Sequence, residues 1–114
     1  MSILSISLGD PNGVGPEILI RSFHRLNREN IYIVFGDEEV IRHAISMFST
    51  SDQKLNLVSY VKDALPGRIN VISPGIVHRD KLEPGSLSKL AGKASLKYVR
   101  LAVEAARKGE VDGI

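Results

Sequence analysis

The chain has 114 residues, 43% hydrophobic and 25% charged, with 15 basic and 13 acidic side chains summing to a formal net charge of +2 and no cysteine. That balance fits one compact globular domain and excludes disordered, collagenous or coiled-coil chains, disulfides and thiolate metal sites. Interspersed charge and 5% aromatics without Trp argue against a nucleic-acid stripe or a base-stacking platform. No apolar run is long enough for a membrane span, no leader-type segment is expected, and the absence of cysteine fits a cytoplasmic setting.

Ile3-Leu4-Ser5-Ile6-Ser7-Leu8 reads as a strand entering a turn at Gly9. Pro16 suits the first turn of a helix, Glu17 suits its positive end, and Ile18, Leu19, Phe23 and Leu26 supply a helical stripe. Asn30 breaks that helix. Ile31-Tyr32-Ile33-Val34-Phe35 is a continuous β-type run, expected of a strand covered on both faces. After Gly36, Asp37 can cap a helix through Phe48 with Val40, Ile41, Ala44 and Ile45 on its apolar side. Residues 49–54 read as a polar loop. Leu55 to Val61 and Ile69 to Ile72 read as strands, and Ser73 to Gly85 as a loop. Leu87, Leu90, Ala91, Ala94, Tyr98, Leu101, Ala102 and Ala105 recur at three- and four-residue steps, the mark of a long amphipathic helix. Gly109 suits its end. Val111 to Ile114 reads as the first half of a further parallel strand, so the expectation is a single, incomplete α/β domain over 1–114, truncated as that strand begins. Alternating strands and helices predict an α/β/α architecture on a mainly parallel sheet.

One segment carries chemistry. Gly9-Asp10-Pro11-Asn12-Gly13-Val14-Gly15-Pro16-Glu17 joins a strand end to a helix start, where open α/β sheets bind ligands. Its glycines let backbone N–H groups approach a ligand, and the helix start adds unpaired donors. Asp10 and Glu17 suit hydroxyls, amides or a cation better than a pyrophosphate. The spacing matches neither dinucleotide nor phosphate-loop signatures. A tight turn with only a structural role explains the same residues equally well.

The run Gly9 to Ile18 resembles the opening signature of the 4-hydroxythreonine-4-phosphate dehydrogenase family, with Asn12 in place of the family's usual Ala and Val14 in place of Ile. Phe35-Gly36-Asp37 is similar to a family Gly-Asp turn. Pro84-Gly85, Gly92-Lys93-Ala94-Ser95 and Ala102 through Ile114 are similar to its crossover helix and following strand. The resemblance implies an NAD-dependent enzyme of vitamin B6 synthesis that oxidises 4-phosphooxy-threonine to a β-keto acid, which then loses CO2. It further implies a divalent metal acting as Lewis acid, a homodimer, and a fold like those of isocitrate and isopropylmalate dehydrogenases, of which this chain is the amino-terminal part. By that analogy Asp10, Asn12, Gly13, Val14 and Gly15 line the NAD cleft. No catalytic residue and no metal ligand is assigned within the chain, because family members are much longer and their metal-ligand histidines lie further on. On that view the chain alone is inactive. The alternatives are a non-catalytic nucleotide-binding or interaction module, and a relative acting on another four-carbon acid phosphate.

His24, His43 and His78 lie on separate predicted elements without ligand spacing and read as surface or loop residues. Arg79 and Lys81 are a candidate phosphate or adenosine contact, with a solvated loop the plainer explanation. Lys89, Lys93 and Lys97 read as a solvated helix face, and Phe48 and Tyr98 as core.

Overall fold

The computed structural model describes residues 1–49 and 53–114. It contains strands β1 (Ile3–Ser7), β2 (Ile31–Phe35), β3 (Leu55–Leu57) and β4 (Ile69–Ile72) and helices α1 (Gly15–Ser22), α2 (Glu38–Phe48) and α3 (Lys89–Arg107). The strands form one parallel sheet in the order β1-β2-β4-β3. Ile33 and Val34, neighbours that point to opposite faces of β2, are both fully buried, so the sheet is covered on both sides as its unbroken apolar run predicts. α1 packs on α2, while α3 packs on β1 and β2. The chain steps from β1 to β2 in one direction and returns from β4 through α3 to the far side of β1. Right-handed crossovers therefore place α1 and α3 on opposite faces.

On that far side Leu4 pairs with Gly113 in a parallel bridge. Ser5 N–H donates to the Gly113 carbonyl at 2.9 Å and Asp112 N–H donates to the Ile3 carbonyl at 2.7 Å. The Asp112 carboxylate accepts from Ile3 N–H at 2.8 Å. The segment is thus parallel and paired, but as a bridge beside β1, at the outside of the sheet these residues form.

Four expected boundaries shift. The first helix ends at Ser22 and tightens into a 3-10 turn at Phe23–Arg25. Leu19 and Ile20 carry its core face, while Ile18 is 57% exposed. The strand expected over 55–61 stops at Leu57. The buried Asn70 side chain accepts from Asn56 Nδ2 and Leu65 N–H, both at 2.8 Å, and donates to the Leu65 carbonyl at 2.9 Å, folding the intervening residues into a turn around Val61–Asp63. The expected 73–85 loop contains a 3-10 turn at Arg79–Lys81. Leu87 precedes α3 and is 97% exposed, because Ser88 caps the helix through Ala91 N–H at 2.9 Å. Ala91, Ala94, Tyr98, Ala102 and Ala105 bury the inner face of α3 as the spacing predicts, with Leu101 half-buried beside them, whereas Leu96, Val99 and Val103 remain exposed.

Candidate functional site

The 8–15 segment leaves β1 at the strand where the order of the sheet reverses, since β2 lies on one side and Gly113 on the other. Such a position opens a crevice at the carboxyl ends of the strands. Leu8 N–H continues the ladder by donating to the Phe35 carbonyl at 3.1 Å. Gly9 then takes φ +82°, a backbone angle that a Cβ penalises. Asp10 closes the turn twice: its carboxylate accepts from Asn12 N–H at 2.8 Å and its carbonyl accepts from Gly13 N–H at 2.9 Å. The chain doubles back so closely that a Cβ on Gly15 would stand 2.2 Å from the Leu8 carbonyl oxygen. Gly13 has no such constraint; a Cβ there meets Asp10 at 3.4 Å.

The five residues expected to line a cofactor cleft divide. Gly13 and Val14 are exposed, and Asp10 and Gly15 are half-buried. Asn12 is buried and faces the protein: its Oδ1 accepts from Glu83 N–H at 2.9 Å and its carbonyl from Gly85 N–H at 2.8 Å. It fastens the 83–85 turn to the loop. Glu17, the second carboxylate at this mouth, is paired with Arg21 at 2.7 Å. What the loop offers a ligand is backbone at Gly13 and Val14 and the first N–H groups of α1, which lack partners within the helix.

Sequence reasoning missed the most heavily engaged carboxylate. Asp37 stands at the start of α2, but its side chain makes no capping bond. It is 1% exposed and accepts from Gly75 N–H at 2.6 Å, Ile76 N–H at 2.9 Å and Val77 N–H at 3.0 Å. The Tyr98 hydroxyl donates to the same carboxylate and accepts from Asp37 N–H at 3.2 Å. Burial, reinforced by Asp37, pushes the Tyr98 phenol well above its ordinary range, so it stays a neutral donor. This knot ties the loops after β2 and β4 to α3 at the same end of the sheet as the 8–15 segment. Gly36 packs there too, since a Cβ on it would meet Leu8 Cδ2 at 2.6 Å. Only the buried Tyr98 was visible in the pattern; its partner needed the fold.

His78 Nδ1 lies 2.6 Å from Glu39 Oε2, and Glu39 also accepts from Arg79 N–H at 3.2 Å. The contact raises the His78 pKa and lowers that of Glu39. His43, expected on the polar side of α2, is half-buried with Nδ1 enclosed and unpartnered among the described residues. Arg79 and Lys81 are exposed. Among the described residues no group of three or more His, Asp or Glu side chains could hold a metal ion, so the residues present do not fit a metal site. No described helix is long and apolar enough to cross a membrane.

The family model "Pyridoxal phosphate biosynthetic protein PdxA" matches residues 28–114. A protein of Cutibacterium acnes, provisionally named D-threonate 4-phosphate dehydrogenase, is 36% identical over 98% of the chain. The 4-hydroxythreonine-4-phosphate dehydrogenase of Hydrogenobaculum sp. is 33% identical over 100% of it. The chain spans about a third of the length of these relatives, 34% and 35% respectively. A crystal structure of a 4-hydroxythreonine-4-phosphate dehydrogenase from Burkholderia phymatum superposes with a TM-score of 0.88 at 28% identity, over 98% of this chain and 34% of that one.

Proposed function

Because the chain belongs to the PdxA family of pyridoxal phosphate biosynthetic proteins, we propose that it forms the amino-terminal part of an NAD-dependent dehydrogenase. Its substrate class is a four-carbon hydroxy acid carrying a 4-phosphate. The observation that carries this is the 9–15 loop: a turn closed on itself by Asp10, pinned by Asn12, and left open to solvent at Gly13 and Val14 where the sheet order reverses. NAD, when bound, accepts the hydride released as the substrate hydroxyl becomes a ketone. The residues of this chain position rather than react. Gly15 and Gly9 let the loop lie flat at the mouth, Asn12 holds it to the 83–85 turn, and Gly13 and Val14 present backbone toward the dinucleotide.

The names of the relatives distinguish substrates that carry an amino or a hydroxyl group at the second carbon, and this loop contains no side chain dedicated to either. The metal that the family resemblance implies belongs to residues outside this chain. A homodimer, a cytoplasmic setting and the isocitrate dehydrogenase-like frame are part of the same proposal.

The test is NADH formation, followed by absorbance, in a protein that joins this chain to the remaining two thirds of the relatives' length. Each of the two acid phosphates is offered with NAD and a divalent metal. Oxidation of one or both is expected, and the 114 residues alone should give no signal. No NADH from the longer protein with either substrate would overturn the proposal.

A further inference from the structure

The opposite end of the sheet carries a second feature. Three cations distant in sequence converge there because β2, β4 and β3 are neighbours and their amino ends lie side by side. Arg28 precedes β2, Lys54 precedes β3 and Arg68 precedes β4, and all three line one cleft of about 280 Å³. None of the three forms an ion pair among the described residues, although Arg21, Arg42, Arg107 and Lys108 all do. No acidic side chain lines the cleft among those residues. Its wall includes Phe23 and Tyr32, which meet edge to face with ring centroids 6.1 Å apart. Like charges gathered without counter-charge repel. That cost is relieved by an anion seated among the three cations.

We propose that this cleft, at the amino ends of β2, β3 and β4, binds a small phosphorylated molecule with a flat ring. The phosphate sits among Arg28, Lys54 and Arg68, and the ring packs on Phe23 and Tyr32. A phosphate group matches the set because its oxygens accept from guanidinium and ammonium donors. The site is separate from the 9–15 loop and stands whether or not that loop binds NAD.

Inorganic phosphate, phenyl phosphate and phenol are the probes, each titrated into the 114-residue chain at low salt and followed by backbone amide shifts. Saturable shifts are expected at Asn30, Gly67 and Arg68 with both phosphates, tighter for phenyl phosphate, with the amides of residues 9–15 unmoved. Arg28 and Lys54 are exposed, so R28Q and K54Q retain the fold. Each should weaken phenyl phosphate about tenfold, the usual effect of a charge-assisted contact. Saturation that phenol matches would show an apolar crevice only. Shifts that R28Q/K54Q leaves unchanged, or no saturation with either phosphate, would also overturn the proposal.

Discussion

Two glycines two residues apart should respond very unequally to the same methyl group. In Gly15→Ala the new Cβ is placed 2.2 Å from the Leu8 carbonyl oxygen, more than 1 Å inside an ordinary carbon–oxygen contact of roughly 3.3 Å. The atom it meets is backbone, and Leu8 is itself tied to Phe35, so neither side can yield by a rotamer change. The loop has to lift from the strand end, at about 2–3 kcal/mol, the upper part of the usual overpacking range. In Gly13→Ala the nearest contacts are 3.4 Å and the backbone angle is not left-handed, so the change should stay within about 0.5 kcal/mol. Urea unfolding of both variants beside the parent, with unchanged slopes, measures the difference. In the longer protein, NAD affinity by calorimetry then asks whether the stable Gly13→Ala variant binds more weakly, as an exposed Cβ at the cofactor surface requires. Equal destabilisation of the two variants would refute the geometry of the turn. Full NAD affinity in Gly13→Ala would remove this face of the loop from the cofactor site.

Asp37→Ala leaves the Gly75, Ile76 and Val77 amides without their acceptor and should cost about 3 kcal/mol or more in chemical denaturation; a loss below 1 kcal/mol would mean the 73–77 loop holds itself. The raised Tyr98 pKa has a defined sign. Above about pH 10 the unfolded chain releases that proton while the folded chain keeps it, so its contribution to stability is full below that pH and falls as pH rises. Tyr98→Phe should flatten this part of the stability–pH curve between pH 9 and 11, and an identical slope in the variant would contradict the assignment. Leu101→Ala, half-buried against the core, should cost about 2 kcal/mol and the exposed Arg100→Ala no more than roughly 0.5 kcal/mol, both by urea titration; similar values would place the wrong face of α3 on the sheet.

What the sequence disclosed follows from the range of the forces involved. β2 and α3 were legible because burial imposes a periodicity on neighbouring residues, and Ile33, Val34, Ala94 and Tyr98 sit where that periodicity puts them. The loop was legible as a turn because Gly9 and Pro16 are local constraints. Its internal division was not. Asn12 looked like a residue facing a ligand, and its side chain instead answers Glu83, 71 residues away. Asp37 looked like a helix cap because it precedes Glu38 and Glu39, and its carboxylate is spent on amides 38 to 40 residues further on. Leu87 fitted the helical stripe, yet Ser88 begins the helix one residue later and leaves it in solvent.

The bridge beside β1 sets an order of assembly. β1 meets β2 across 28 residues, as Ile3 pairs with Ile31, but it meets Asp112 only across 109. Closing the larger loop costs about 1 kcal/mol more in chain entropy, and on a ribosome its far end is the last of these residues to emerge. Until residue 112 has emerged, one side of β1 is therefore a bare strand edge, open to pairing with another copy. The Asp112 contacts to Ile3 seal that edge late, so a chain stalled before residue 112 should be far more prone to aggregate than its small loss of buried area suggests.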